Sequence, residues 1–283
     1  RARVILKALE GGSRSGAGPA EIPDAAELPE EEENPLLQIS IAGNTSAEIM
    51  EQLKDDSLVD FPEIKNISYE LKNVPNALSG TSACAFYLVP PIDSKEANII
   101  YINNNRVESN EMFSTLAHEG FPGHLYQTLY YGNQNPAPIR NLLGCSGYIE
   151  GWATYVESIS YGYAASYFKV EPELLQLLWQ NRSISLCLYS LLDIKIHEYG
   201  WTLAQVTQSL HGFGIASDDT CKEIYQYIIE NPANYLKYYL GYLNFMDLRD
   251  LAEKKAGDKF DKKEFHRFVL ETGPAPFPVI EKY

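Results

Sequence analysis

From about residue 109 onward, the apolar residues of the chain recur at the three- and four-residue spacing of amphipathic helices, and no strand pattern interrupts them. Before that point, short segments rich in β-branched and aromatic residues alternate with Pro and Asn, which is typical of a small antiparallel sheet. The sequence therefore predicts an α+β fold that is mostly α, with a small sheet followed by a large helical body. The predicted strands are 67–74, 82–89 and 97–103, and the predicted helices are 46–56 (with Ser46 as N-cap), 109–131, 146–165, 171–199, 201–210, 217–230, 232–255 and 261–271.

The beginning of the chain has a different character. Residues 10–35 are dominated by Gly, Ser, Pro and acidic residues and carry no apolar period, so we expect residues 1–35 to be a linker or a disordered leader. Residues 36–283 then form a single domain, with the sheet at about 67–103 and the helical body at about 109–283. Because the chain starts at Arg1 rather than Met, we expect it to be processed or cut from something longer.

The charge balance excludes several classes of protein. The chain has 23 Lys and Arg against 38 Asp and Glu, a formal net charge of −15. A nucleic-acid binder needs a basic face, and so does a protein that docks on an anionic membrane. A chain this acidic is therefore expected to be neither. No run of about 18 apolar residues exists, so we expect no integral membrane segment in this chain. The four Cys lie far apart and form neither a CxxC metal site nor a dense disulfide framework.

Two of the five histidines lie close together in the segment HEGFPGH at 118–124. His118 is followed directly by Glu119, as in zinc peptidases, where imidazoles hold the metal and the carboxylate deprotonates its water. In the usual HExxH motif the histidines are four residues apart and share a helix face. Here His124 is six residues after His118, which on a regular helix separates the side chains by about 120°.

Pro122 could interrupt the regular helix that would hold the two histidine side chains apart. It removes a backbone donor and clashes with the carbonyl of residue 118, and its neighbouring glycines permit unusual dihedral angles. We therefore expect the helix to break there, so that His124 can turn to face His118. The alternative is an ordinary Pro-Gly helix end with two polar histidines nearby.

A pair of glutamates follows in the segment GYIEGWATYVES. Glu150 and Glu157 are seven residues apart on one face of an otherwise apolar and aromatic helix, where a carboxylate needs a partner such as a metal or a metal-binding histidine. Two helical turns separate them by about 10 Å, so they cannot both bind one small ion. The alternative is that both are solvated or ion-paired.

Two later helices carry polar side chains at helical spacing. Arg182, Tyr189, Asp193 and His197 share one stripe of 171–199, which indicates either the wall of a site or a satisfied interior network. In 232–255, Tyr238 belongs to a tyrosine repeat beside Gly241. A phenol near a metal can stabilise an oxyanion, although such a repeat is more often core. The repeat consists of Tyr235, Tyr238 and Tyr242.

Taken in order, these segments resemble a large bacterial family known as domain of unknown function eight-eight-five, which is itself placed among gluzincin-type zinc metallopeptidases. The resemblance covers about residues 82–283, and its most specific part is the pair HEGxPGH and EGWAxYxE. It implies a zincin-like architecture. Members are usually longer, so the chain resembles their C-terminal catalytic portion, with a preceding helical region absent or supplied elsewhere. The matching strings are HEGFPGH, EGWATYVE, DIKIHEYGW, YYLGYLNFMDLR and FHRFVLETGPAPF.

The resemblance implies one zinc ion on His118, His124 and Glu150, with Glu119 as general base. Which of Glu150 and Glu157 binds the metal stays open, and the other would orient an imidazole. One departure is Leu125, since many members have a second His at that position. The remaining implied roles are Tyr238 and His197 facing the substrate, and Arg182, Asp193, Arg249 and His266 as supporting or substrate-binding residues.

In gluzincin-like sites an edge strand lies beside the metal helix, and the peptide substrate adds to it as an extra strand. The segment ANIIYIN at 97–103 is the candidate here. Asn103, Asn104 and Asn105 at its end could cap that edge or bind substrate backbone, or could simply form a turn.

The expected function is therefore zinc-dependent hydrolysis of peptide bonds, in short peptides, by a metal-activated water with Glu119 as general base. Two alternatives stay open: a helical binding module with a vestigial metal site, and a metal-dependent hydrolase of non-peptide amides or esters. The acidic leader and missing start favour an exported or lipid-anchored envelope protein over a cytoplasmic peptidase.

Overall fold

The structure, a computed structural model, describes residues 45–65, 67–80, 82–91, 98–103 and 109–283. The chain divides into two units, 1–40 and 41–283, and all described residues belong to the second. The predicted leader lies outside the described residues.

The first helix, α1, spans Ser46–Asp60. Its N-cap is Thr45 rather than the predicted Ser46: the Thr45 hydroxyl accepts from the backbone N–H of Glu48, and the Glu48 carboxylate accepts from the N–H of Thr45. This reciprocal capping box satisfies two backbone donors that the first turn would otherwise leave free.

The strands that follow are β1 (Glu70–Asn73), β2 (Ala85–Leu88) and β3 (Ile99–Ile102). They lie in the order β1–β3–β2, with β1 parallel and β2 antiparallel to β3. The prediction of a purely antiparallel sheet was therefore wrong. β3 enters between the two earlier strands and runs opposite to β2, and residue pattern alone does not specify which strands become neighbours.

A helical body follows the sheet, so the prediction of an α+β, mostly α fold is confirmed. The predicted helix 109–131 is divided into two helices at residues 120–123, and two 3₁₀ turns, Pro138–Asn141 and Gly257–Lys259, were not predicted. The helices are α2 (Ser109–Glu119), α3 (His124–Asn133), α4 (Ser146–Phe168), α5 (Pro172–His197), α6 (Leu203–Gly212), α7 (Asp218–Glu230), α8 (Asn234–Ala256), α9 (Lys262–Thr272) and the single turn α10 (Phe277–Ile280).

The helices α4 and α8 pack with their backbones in contact. A Cβ atom at Gly151 would lie 2.5 Å from Cα of Gly241, and one at Gly241 would lie 2.3 Å from the carbonyl oxygen of Gly147. Only glycine fits at such a crossing. On either side of it, α4 buries Tyr148 and Trp152 completely. The crossing brings side chains of the first half of α8 next to the second turn of α4.

Candidate metal centre

The turn between α2 and α3 brings His118 and His124 together. The indole Nε1 of Trp152 donates a hydrogen bond to the carbonyl of Pro122 across 2.9 Å. A Cβ atom at Gly123 would lie 1.8 Å from the carbonyl oxygen of His118, so the chain can fold back this tightly only with glycine there. The two imidazole rings end with centroids 4.9 Å apart at 86°. The Pro-Gly segment thus breaks the helix as predicted, and the two imidazole rings lie close together.

Glu150 completes a group of three side chains. One ligand atom from each of His118, His124 and Glu150 can be chosen so that all three lie within 4.8 Å of one another. Oε2 of Glu150 is 3.3 Å from Nε2 of His124 and 3.7 Å from Nε2 of His118. Tetrahedral zinc with ligands at about 2.0–2.1 Å separates its donor atoms by roughly 3.3 Å. These donors therefore fit an ion of that size, and two imidazoles with one carboxylate are a donor set that zinc uses.

Glu157 binds the other nitrogen of His118. Its Oε2 lies 3.1 Å from Nδ1 of His118, and its Oε1 accepts from Nε of Arg182 at the same distance. A buried carboxylate on Nδ1 fixes the ring orientation and leaves Nε2 free to act as a ligand. The geometry thus gives the two glutamates different places, with Glu150 at the imidazole Nε2 atoms and Glu157 behind His118.

The centre has an excess of negative charge. Burial disfavours the charged form of His118, but the neighbouring carboxylates of Glu150 and Glu157 outweigh it and raise the pKa of His118 to about 10. Burial likewise opposes the charged form of Glu150, yet the neighbouring imidazoles of His118 and His124 hold the pKa of that carboxyl well below its usual range. The carboxylates that favour a proton here also favour a cation between the imidazoles.

Glu119 joins the centre to the sheet. Its Oε2 accepts a hydrogen bond from the backbone N–H of Tyr87 in β2 across 2.8 Å. Its charge contributes to the raised pKa of both His118 and Tyr238, so the carboxylate lies near both side chains. The prediction that ANIIYIN is the edge strand beside the metal helix was wrong: β3 is the central strand, and β2 is the edge that reaches Glu119.

Of the three repeated tyrosines, only Tyr238 lies at this centre. Its ring is 6.2 Å from that of His118. Burial, followed by the charges of Glu150 and Glu119, raises the pKa of Tyr238, so its hydroxyl keeps its proton and can donate a hydrogen bond. Tyr235 packs on Tyr189, and Tyr242 packs on Trp179, which is the core role that such repeats usually have.

Lys237 was not identified from the sequence. Its Nζ lies 3.2 Å from Oε1 of Glu150 and 5.0 Å from the centroid of the Tyr238 ring. Its position one turn before Gly241 could have drawn attention to it, but only with the knowledge that Gly241 packs against Gly151. The contribution of Tyr87 comes from its backbone, and no side-chain pattern indicates it.

The other predicted site residues lie in separate networks. Nδ1 of His197 contacts Oδ1 of Asp193 at 2.9 Å, and the same oxygen accepts from the N–H of Ala233. Oδ2 of Asp193 is buried without a hydrogen-bond partner in the described part of the chain. Arg249 pairs with Glu253 at 2.9 Å. The catalytic role of His197 and the supporting roles of Asp193 and Arg249 stay predictions.

His266 is fully buried, stacked on Phe61 with ring centroids 4.1 Å apart. Its Nδ1 lies 2.7 Å from the carbonyl of Asp60, so it donates there, and its Nε2 accepts from the hydroxyl of Tyr155 at 2.9 Å. Both nitrogens are thus engaged by the protein, which fits a supporting role for His266 better than a substrate-binding one.

Asn103 is also used internally. Its side-chain amide donates to the carbonyls of Ser79 and Ser82, which ties the end of β3 to the preceding turn. Asn104 and Asn105 lie outside the described residues. Leu125 is completely buried.

Comparison with known proteins finds two solved structures of similar fold and one family whose model matches the chain. No curated protein matches the chain. The fold resembles that of a candidate lipoprotein from Colwellia psychrerythraea, with a TM-score of 0.71 and 25% sequence identity over 84% of this chain and 41% of that one. A candidate lipoprotein of unknown function from Shewanella oneidensis matches in fold with a TM-score of 0.64 and 21% identity, over 84% of this chain and 45% of that one.

The chain thus spans less than half the length of these two structural relatives. Among the residues that the structure describes, no helix is both long and apolar enough to cross a membrane. The model of one family matches residues 37–283, which include every residue of the centre described above. The chain belongs to the family described as bacterial protein of unknown function (DUF885).

Proposed function

We propose that the chain is a zinc-dependent hydrolase that cleaves peptide bonds in short peptides. The observation that carries this proposal is the convergence of His118, His124 and Glu150, whose ligand atoms lie within 4.8 Å of one another, with the charge of Glu119 close to His118. A partly buried centre with three candidate ligands among the described residues and an adjacent carboxylate has the composition of a catalytic rather than a structural zinc site, because structural sites use four protein ligands.

Each side chain has a distinct part in the reaction. A zinc ion on His118, His124 and Glu150 would polarise the attacking water and the scissile carbonyl. Glu119 takes the proton of the water and later returns it to the leaving amine. The Tyr238 hydroxyl, which keeps its proton, donates to the carbonyl oxygen as that oxygen becomes negative. Glu157 and Arg182 hold the His118 ring in place throughout.

The outer edge of β2 supports a peptide as the substrate. Asn103 donates its N–H to the carbonyl of Cys84, so in the alternating antiparallel pattern the N–H of Tyr87 points away from β3. That N–H is bound to Glu119. An extended peptide that adds to β2 would therefore pass its backbone directly beside the carboxylate that we assign as the base.

The lipoprotein descriptions of the two structural relatives bear on location. We extend the proposal to an exported or lipid-anchored protein of the cell envelope, in keeping with the acidic leader. Fractionation of cells that produce the full-length protein would test this, since recovery in the cytoplasmic fraction contradicts it.

The function itself is tested with a mixture of peptides of different lengths, analysed by mass spectrometry. We expect the zinc-loaded chain to cleave short peptides, to lose this activity when a chelator removes the metal, and to regain it when zinc is returned. A parallel set of simple ester and non-peptide amide substrates separates the alternatives. Cleavage of these alone would replace peptides as the substrate, and cleavage of neither set by a zinc-loaded chain would favour a non-catalytic binding module.

A further inference from the structure

The carboxylate of Glu150 has two oxygens with different surroundings. Oε2 faces the imidazoles, 3.3 Å from Nε2 of His124 and 3.7 Å from Nε2 of His118. Oε1 is turned toward α8 and lies 3.2 Å from Nζ of Lys237. One oxygen therefore points to the metal-binding space, and the other is engaged by an ammonium group.

Lys237 is held in this position from several sides. Its side chain is only 28% exposed, and its Nζ lies over the ring of the adjacent Tyr238 at 5.0 Å from the centroid. The backbone contact of Gly151 with Gly241 fixes α8 against α4. Gly151 follows Glu150 directly on α4, and Gly241 lies one turn after Lys237 on α8. The ammonium group reaches Oε1 because the helices are this close.

We propose that Lys237 is a positioning residue that restricts Glu150 to binding the metal through a single oxygen, an inference that rests on the proposed function. A carboxylate can bind a metal through one oxygen or through both, and an ammonium group on Oε1 makes the second mode costly because that bond must first be broken. With two imidazoles and one oxygen bound, a coordination position remains for water, as catalysis requires.

The test uses the cobalt-substituted chain, because the visible spectrum of Co²⁺ reports the number and geometry of its ligands. The variant Lys237→Met removes the ammonium group and keeps an unbranched side chain. We expect it to bind Co²⁺ at least as tightly as the original chain, since a positive charge has been removed near the ion. We expect its visible absorption to fall by about twofold or more, as Glu150 moves from one-oxygen to two-oxygen binding and the geometry leaves the tetrahedral form.

The matched control is Lys254→Met, which removes an exposed ammonium group from the last turn of the same helix and should leave the spectrum unchanged. If Lys237→Met misfolds, Lys237→Gln serves in its place with the same expected change. A wild-type spectrum in the Lys237 variant, or loss of its metal, overturns the inference and leaves the zinc centre standing. Failure of the original chain itself to bind Co²⁺ or Zn²⁺ overturns the proposed function together with this inference.

Discussion

The backbone N–H of Tyr87 and the carboxylate of Glu119 lie 2.8 Å apart and form a hydrogen bond that joins the edge of the sheet to the helix that carries His118. The bond places a carboxylate at the outer edge of β2, beside the path that an added strand would take. It also explains why a sheet as small as this one belongs to the site: β2 contributes no ligand, but its backbone helps to hold the carboxylate that follows the first histidine.

The first prediction concerns this carboxylate. In Glu119→Gln the side chain keeps its size and its bond from Tyr87 but can no longer take a proton. We expect zinc binding to be unchanged and peptide cleavage to fall roughly a hundredfold to ten-thousandfold, the usual contribution of a general base. Zinc content and the initial rate on one cleaved peptide measure the two effects.

The exposed Glu281 near the end of the chain provides the control, since Glu281→Gln should change neither quantity. Cleavage at the wild-type rate by Glu119→Gln would show that the proton acceptor has been misassigned.

The second prediction concerns the metal. His124→Ala removes one of the three converging donors, so we expect zinc affinity to fall by more than the roughly 10–100-fold that the loss of an outer-shell partner costs. Competition with a chromogenic chelator measures this. His211→Ala removes a partly exposed imidazole that pairs with Asp218 in a different part of the chain, and it should leave zinc affinity unchanged. Equal zinc affinity in the two variants would contradict the site.

The third prediction concerns the crossing of α4 and α8. In Gly241→Ala the new Cβ would meet the backbone of Gly147 and Gly151, and the helices must separate, so we expect a loss of about 1–3 kcal/mol in the free energy of unfolding. Gly162→Ala on α4 is the matched control, because a Cβ there meets nothing within 4 Å. It should be neutral or should stabilise by up to about 1 kcal/mol. Urea unfolding of both variants decides the matter, and equal midpoints would disprove the tight crossing.

The fourth prediction concerns pH. Burial lowers the pKa of His266 from 6.5 to about 4, so its folded form stays neutral where the unfolded form is protonated. Between these two values the unfolded chain binds more protons, and stability therefore falls as the pH decreases from about 6.5 to about 4. The full shift corresponds to about 3 kcal/mol.

Urea unfolding of the metal-free chain at a series of pH values measures this dependence. His266→Gln, although less stable at neutral pH, should lose less stability over the same interval. An equal loss in the variant and in the original chain would assign the pH dependence to other groups.

The sequence was sufficient for those parts of the site that depend on local geometry. Pro122 between two glycines predicted a break in the helix, and the seven-residue spacing of Glu150 and Glu157 predicted that the two carboxylates would lie apart, as they do on either side of the His118 ring. Both follow from backbone rules that act within a few residues. The helical body was predictable for the same reason, since amphipathic spacing is a local property.

Features that depend on distant partners were not predictable from one sequence. The pairing of β1 with β3 and the bond from Tyr87 to Glu119 each join residues about 30 positions apart. Lys237 reaches Glu150 only because two glycines nearly a hundred residues apart allow their helices to touch. Periodicity identifies which residues share one face of a helix, but it does not identify the helix or strand against which that face packs.

The turn at Gly123 limits how this centre could be transplanted into another protein. Grafting two histidines and a glutamate onto a regular scaffold helix, the approach that works for the four-residue spacing, would leave the rings pointing apart. An engineered version needs the whole segment from His118 to His124, because the backbone path of this segment orients the two imidazole rings toward each other. A Cβ atom at residue 123 would block that path.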